Sequence, residues 1–127
     1  MIRASSLLLG VALLPLAAIA QTPQTFAEAK AQADRDEASL GATAREAFRQ
    51  AQARQLETSV GNCANPGHDT SAFVIVAEVD ARGRITRTWR QGDTALAACV
   101  EKELNGRFLE PPPRAPFLAA FELSFTP

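Results

Sequence analysis

Hydrophobic positions along this chain follow four successive patterns. Leu7 through Ile19 form an apolar run interrupted only by Gly10 and Pro15. Residues 25–60 then carry sparse apolar positions at helical spacing, with alanine dominant, no proline and a single glycine. Residues 61–70 are turn-formers almost throughout, and beyond them the chain alternates in the short periods of strands, with one helical interval.

Thr25-Phe26-Ala27-Glu28 fits a capping box, with Thr25 accepting from the backbone and Glu28 reaching back. From there the spacing predicts a helix to about Leu56, loosened at Gly41, where glycine costs about 1 kcal/mol relative to alanine. Leu40, Ala44, Ala47 and Ala51 cluster in one narrow arc with Phe48 beside them. Alanine buries little area, so only the Leu40–Val60 part has much to dock with. The segment from Phe26 to Ser39 is expected to be a solvated helix. A partner helix there is the weaker reading, because no heptad pattern is sustained.

Ala72 to Val79 is apolar on both faces, as a central strand is. Asp80-Ala81-Arg82-Gly83 makes a tight turn, with Gly83 suited to positive φ. Ile85 to Gln91 alternates Ile85, Arg87 and Trp89 against Thr86, Thr88 and Arg90, a wetter strand fit for a sheet edge. Gly92-Asp93 ends that strand and is expected to cap a helix over residues 93–105, with Leu96, Cys99, Val100 and Leu104 on one side. Pro111-Pro112-Pro113 excludes helix and ladder and makes a stiff connector. Phe117, Ala119, Phe121, Leu123 and Phe125 then alternate as a closing strand.

The expected fold class is therefore α+β. An N-terminal α-helix precedes a β-β-α-β unit, a three-stranded sheet with one face covered by the 93–105 helix. Chain economy places the last strand beside residues 72–79, running parallel to residues 84–91.

The first apolar run changes the picture of the compartment. Arg3 gives it a positive start, and Ala18-Ile19-Ala20 offers the small-x-small pattern of a signal peptide cleaved before Gln21. Residues 7–19 would rise only about 20 Å as a helix, short of a bilayer core of roughly 30 Å, so an uncleaved anchor is disfavoured. The expectation is an exported, soluble, periplasmic chain with no membrane insertion after cleavage. Three segments result: a signal peptide over 1–20, an Ala-rich helical segment over 21–60 and the α+β domain over 61–127.

Roughly a hundred residues remain, enough for one modest domain. The full chain has 13 basic and 14 acidic residues, and losing Arg3 makes it slightly more negative. Non-specific nucleic-acid binding needs a basic excess, so it is excluded. Cys63 and Cys99 are the only cysteines. In an oxidising compartment they read as one disulfide. Closing a loop of about 37 residues stabilises by about 4 kcal/mol in the chain-entropy picture.

A strand ending in Asp80-x-x-Gly83-Arg84-Ile85, a second strand, a helix carrying Leu96, Cys99 and Val100, then Phe108-Leu109-Glu110-Pro111-Pro112-Pro113 and an aromatic-alternating strand resembles the C-terminal domain of TonB and TolA-like envelope proteins. It is most similar to their two-cysteine variant, one cysteine before the first strand and one in the second helix. The resemblance covers residues 60–127. It implies a three-stranded sheet whose last strand offers an open edge to an envelope protein or peptide, the binding residues being Phe117, Ala119, Phe121 and Leu123. It implies the domain alone and no energy transduction.

Candidate chemistry is sparse. His68 is the only histidine. With Asp69 and either Ser59 or Ser71 it could be drawn as a Ser-His-Asp set, but sequence neighbours rarely converge as a triad requires. A zinc site from Cys63, His68, Asp69 and Cys99 would lose its thiolates on oxidation. No cofactor motif is present. Trp89, flanked by Arg87 and Arg90, is either a partner anchor or a side chain packed over the sheet. The expectation is a non-enzymatic interaction module with no catalytic, metal or cofactor residues. A small secreted envelope hydrolase, or an inhibitor of one, is the alternative.

Overall fold

The computed structural model describes residues 9–13, 22–67 and 69–125. Its elements are α1 (Phe26–Ala38), α2 (Ala42–Cys63), β1 (Phe73–Val79), β2 (Ile85–Gln91), α3 (Ala95–Leu104) and β3 (Phe117–Leu123). The α+β class and the order of helices followed by β-β-α-β are those the pattern predicts. Of the N-terminal apolar run, only residues 9–13 are described. They have no regular structure, with Leu9, Val11 and Leu13 exposed. The rest of that run and His68 lie outside the described residues. Among the described residues, no helix is long and apolar enough to cross a membrane.

The long helix expected from Thr25 is two helices. Thr25 caps α1 by accepting from Glu28 N at 3.2 Å. Ser39 ends it, donating from its hydroxyl to Asp36 O at 2.6 Å. Gly41, the position expected merely to loosen one helix, is the extended N-cap of the next. α2 then runs past Leu56 to Cys63, taking Gly61, Asn62 and Cys63 from the turn-forming stretch 61–70. Thr94, rather than Asp93, caps α3 by accepting from Ala97 N at 3.1 Å.

The sheet order is β2-β1-β3, with β1 antiparallel to both neighbours. β2 and β3 therefore run in the same direction, with α3 carrying the crossover. A register shift between Glu78 and Val79 marks a bulge in the hairpin. Gly83 turns it with φ 89°, as its place in the turn requires.

Each sheet face has its own core. Phe73, Ile75, Ala77, Val79, Ile85, Phe117, Ala119 and Phe121 face α2 and α3, meeting Phe48, Ala51, Leu96, Val100 and Leu104. The Phe48 and Phe117 rings lie 5.1 Å apart at 54°, a tilted aromatic pair. On the opposite face, Val76, Trp89 and Leu118 meet Ala29 and Ala33 of α1, with Phe26 at the margin. The helix expected to be solvated is thus the cover of the second face. Its alanines bury little area each, but their small size lets the helix lie close on β1 and β3. The break at Ser39–Gly41 carries the chain from one face to the other around β3.

Cys63 and Cys99 are joined, with Cα atoms 5.8 Å apart and a sequence separation of 36. The bond fastens the last residue of α2 to the middle of α3.

Candidate functional site

A three-stranded sheet has two edges, and an edge with free backbone groups is a ready template for another strand. The outer edge of β3 is covered over Leu118 and Ala120, leaving the backbone groups of Glu122 at its end without a partner among the described residues. Asp36 Oδ2 accepts from Leu118 N at 2.9 Å, and Glu37 Oε1 accepts from Ala120 N at 3.2 Å. Gln52 Nε2 donates to Ala120 O at 3.1 Å and to Glu37 Oε1 at 2.7 Å. Two carboxylates and an amide from the helical hairpin therefore occupy the places a neighbouring strand would take. Asp36 is itself 2 % exposed and accepts further from Gln32 Nε2 at 2.8 Å and Arg114 Nη2 at 2.9 Å. Burial pushes the Glu37 carboxyl above its ordinary pKa, against the opposing hydrogen bonds from Gln52 and Ala120.

This corrects the expected open edge. Phe117, Ala119 and Phe121 are at most 1 % exposed and point into the core. Leu123 is half-buried at the end of β3, where it joins Ala53, Leu56 and Val60 along a shallow apolar trough.

The other edge follows from the same bonds. In an antiparallel ladder a residue directs its N–H and C=O to one side, and successive residues alternate. Leu118 and Ala120 point away from β1, so their opposites Glu78 and Val76 turn toward β2. Glu78 and Val76 pair with Arg87 and Trp89, which leaves the backbone groups of Thr88 and Arg90 facing outward. No partner for them is present among the described residues. The start of β2 is covered: Arg107 O accepts from Ile85 N at 2.8 Å, and Gly106 N donates to Ile85 O at 2.9 Å. The free edge thus begins where the segment after α3 leaves β2. A hollow of about 300 Å³ lies there, lined by Arg84, Ile85, Thr86, Asn105 and Gly106. Asn105 Nδ2 donates to Thr88 Oγ1 at 3.1 Å along its rim.

Trp89 is 8 % exposed and packed into the α1-side core, with the Arg87 guanidinium 4.4 Å from its ring centroid. Its indole N–H is buried without a partner among the described residues. The charges near the edge are uneven. Arg90 pairs with Glu101 at 3.3 Å and with Asp93 at 3.9 Å, and Arg107 pairs with Glu103 at 3.0 Å. Arg82, Arg84 and Arg87 are exposed, and no carboxylate lies within ion-pair distance of them among the described residues.

The serines suggested for chemistry are engaged or enclosed. Ser59 is fully buried. Ser71 donates to Asp69 through its backbone N–H at 2.9 Å and its hydroxyl at 2.6 Å, holding the Asp69 carboxyl below its ordinary pKa. The disulfide takes up both sulfurs of the suggested zinc set. Among the described residues, no group of three or more His, Cys, Asp and Glu side chains is placed to hold a metal.

The sequence pattern marks β2 as an edge strand but places the open edge at β3. The signal available was the pair of Asp36 and Glu37 at the end of a helix otherwise poor in contacts. No family model matches the chain, and no curated protein or solved structure matches it.

Proposed function

We propose that this chain is a non-catalytic protein-interaction module of the cell envelope, exported to the periplasm, which binds a partner by strand addition at β2. The carrying observation is the contrast between the two edges. β3 is covered by Asp36, Glu37 and Gln52 over Leu118 and Ala120, with only Glu122 left outward at its end, whereas both Thr88 and Arg90 present outward backbone groups. An added strand would gain main-chain hydrogen bonds there, with selectivity from the side chains on either side of the edge. The leader-like N-terminus and the disulfide support export. The β-β-α-β order with one cysteine before the sheet and one in its helix supports a place beside the TonB and TolA-like C-terminal domains, with the docking edge moved from the last strand to the second.

The test uses Thr88→Pro, which removes an outward N–H without touching the ladder to β1. Mature wild-type and variant proteins are used to capture partners from envelope extracts, with circular dichroism confirming the fold. The variant is expected to stay folded and lose the partners that the wild type retains. A folded variant that captures the same set would exclude addition at β2.

A further inference from the structure

We infer that the segment received at β2 is an extended acidic peptide, an inference that rests on the strand-addition reading above. Strand addition through backbone groups is indifferent to sequence, so selectivity must come from what flanks the edge. Three cations lie along β2 and its turn without a carboxylate partner: Arg87 on the strand itself, Arg84 beside the hollow where the free edge begins and Arg82 at the hairpin tip beyond it. Arg87 lies over Trp89 at 4.4 Å, which holds the guanidinium in place while the residue stays exposed. A guanidinium fixed in this way binds a carboxylate with two parallel hydrogen bonds and loses little freedom in doing so.

The nearby carboxylates leave these arginines available. Asp80 Oδ1 is occupied by the backbone N–H groups of Arg82 and Arg84, each at 2.9 Å. Glu78 stands opposite Arg87 in the ladder but forms no ion pair with it. Glu101 and Asp93 serve Arg90, and Glu103 serves Arg107. The carboxylates beside β3 are partnered instead: Arg114 holds Asp36 at 2.9 Å, and Lys30 bridges Asp34 at 2.6 Å and Glu122 at 3.2 Å. An acidic strand therefore meets unpaired arginines at β2 and none at β3.

Seven-residue peptides of alternating threonine and valine are the probes, each with three positions changed to glutamate, glutamine or lysine. Binding is read as amide shifts in the 15N-labelled mature protein. The glutamate peptide is expected to move the Thr88 and Arg90 amides and to bind at least tenfold more tightly than the glutamine peptide. That advantage should shrink as salt rises from 50 mM to 500 mM, and the lysine peptide should not bind. Replacing Arg82, Arg84 and Arg87 together by glutamine should equalise the glutamate and glutamine peptides while both still move Thr88. Equal binding of those two peptides to the wild type would overturn the acidic preference and leave strand addition standing. If no peptide moves any β2 amide, the acidic inference falls, and capture by wild type against Thr88→Pro then decides strand addition separately.

Discussion

The Asp36 carboxylate accepts the backbone N–H of Leu118 at 2.9 Å across a sequence separation of 82. A side chain from the end of one helix thereby completes the hydrogen bonding of a strand at the far end of the chain. Arg114 Nη2 holds the other carboxylate oxygen, and the Asp36 carboxylate is buried. Hydrogen bonds to a buried charged group contribute about 1.5–3 kcal/mol, and a donor left buried without a partner carries its own desolvation penalty. Asp36→Ala is therefore expected to destabilise the domain by about 2–3 kcal/mol in urea unfolding. It should also accelerate hydrogen exchange at Leu118. An unchanged midpoint with Leu118 still protected would mean that this carboxylate does not close the edge.

Glu37 sits beside it and makes stability depend on pH. Its folded pKa is raised, first by burial, above the reference of 4.5. A group of this kind contributes stability that is fully present below the unfolded pKa and lost as pH rises through the folded one. Stability should therefore decline through Glu37 as pH climbs from about 4.5 into its raised range. Glu37→Gln keeps an oxygen for the Ala120 N–H and removes the charge. The variant should be as stable as the wild type or slightly more so at pH 7, with a flatter profile above pH 4.5. Thermal melts over pH 4–8 measure it, and an identical slope in both proteins would contradict the assignment.

The disulfide acts on stability as a whole. Replacing Cys63 and Cys99 together by serine should lower stability by about 4 kcal/mol, the chain-entropy value for a loop of this length. For a small domain with roughly 5–10 kcal/mol in total, this brings unfolding close to physiological temperature. The native protein, denatured without reductant, should yield no titratable thiol.

Gly83 serves two purposes at once. Its φ of 89° is one that other residues avoid, and a Cβ added there would lie 2.6 Å from Leu109 O and 2.9 Å from Glu110 C. Leu109 N also donates to Gly83 O at 2.7 Å, so the turn and the segment after α3 are laced together. Gly83→Ala should cost about 3 kcal/mol from the backbone conformation and the displaced neighbour combined. A loss below 1 kcal/mol would show that this crossing has slack.

Much of the sheet was legible in advance because its signals are local. The two-faced apolar run gave β1, the Asp80–Gly83 turn gave the hairpin, and the spacing of Leu96, Val100 and Leu104 gave α3. The pairing of the last strand followed from chain economy. What escaped was carried by small or polar residues acting over long range. Ala29 and Ala33 are fully buried, yet alanine marks no face by periodicity. Asp36, Glu37 and Gln52 read as ordinary charged and polar helix positions until β3 is in place beside them. The covering of β3 turns on those three side chains, so it could not be read from the pattern of β3 alone.

The crosslink between Cys63 and Cys99 ties down only one end of the helical hairpin that wraps β3. α2 is buckled to α3 by a covalent bond, while α1 is held by alanine packing and by the hydrogen bonds of Asp36 and Glu37. The hairpin is thus a strap with one welded end and one end that can be undone. Any uncovering of β3 must begin at α1 and travel toward Gly41, and the oxidised chain keeps α2 moored for the return.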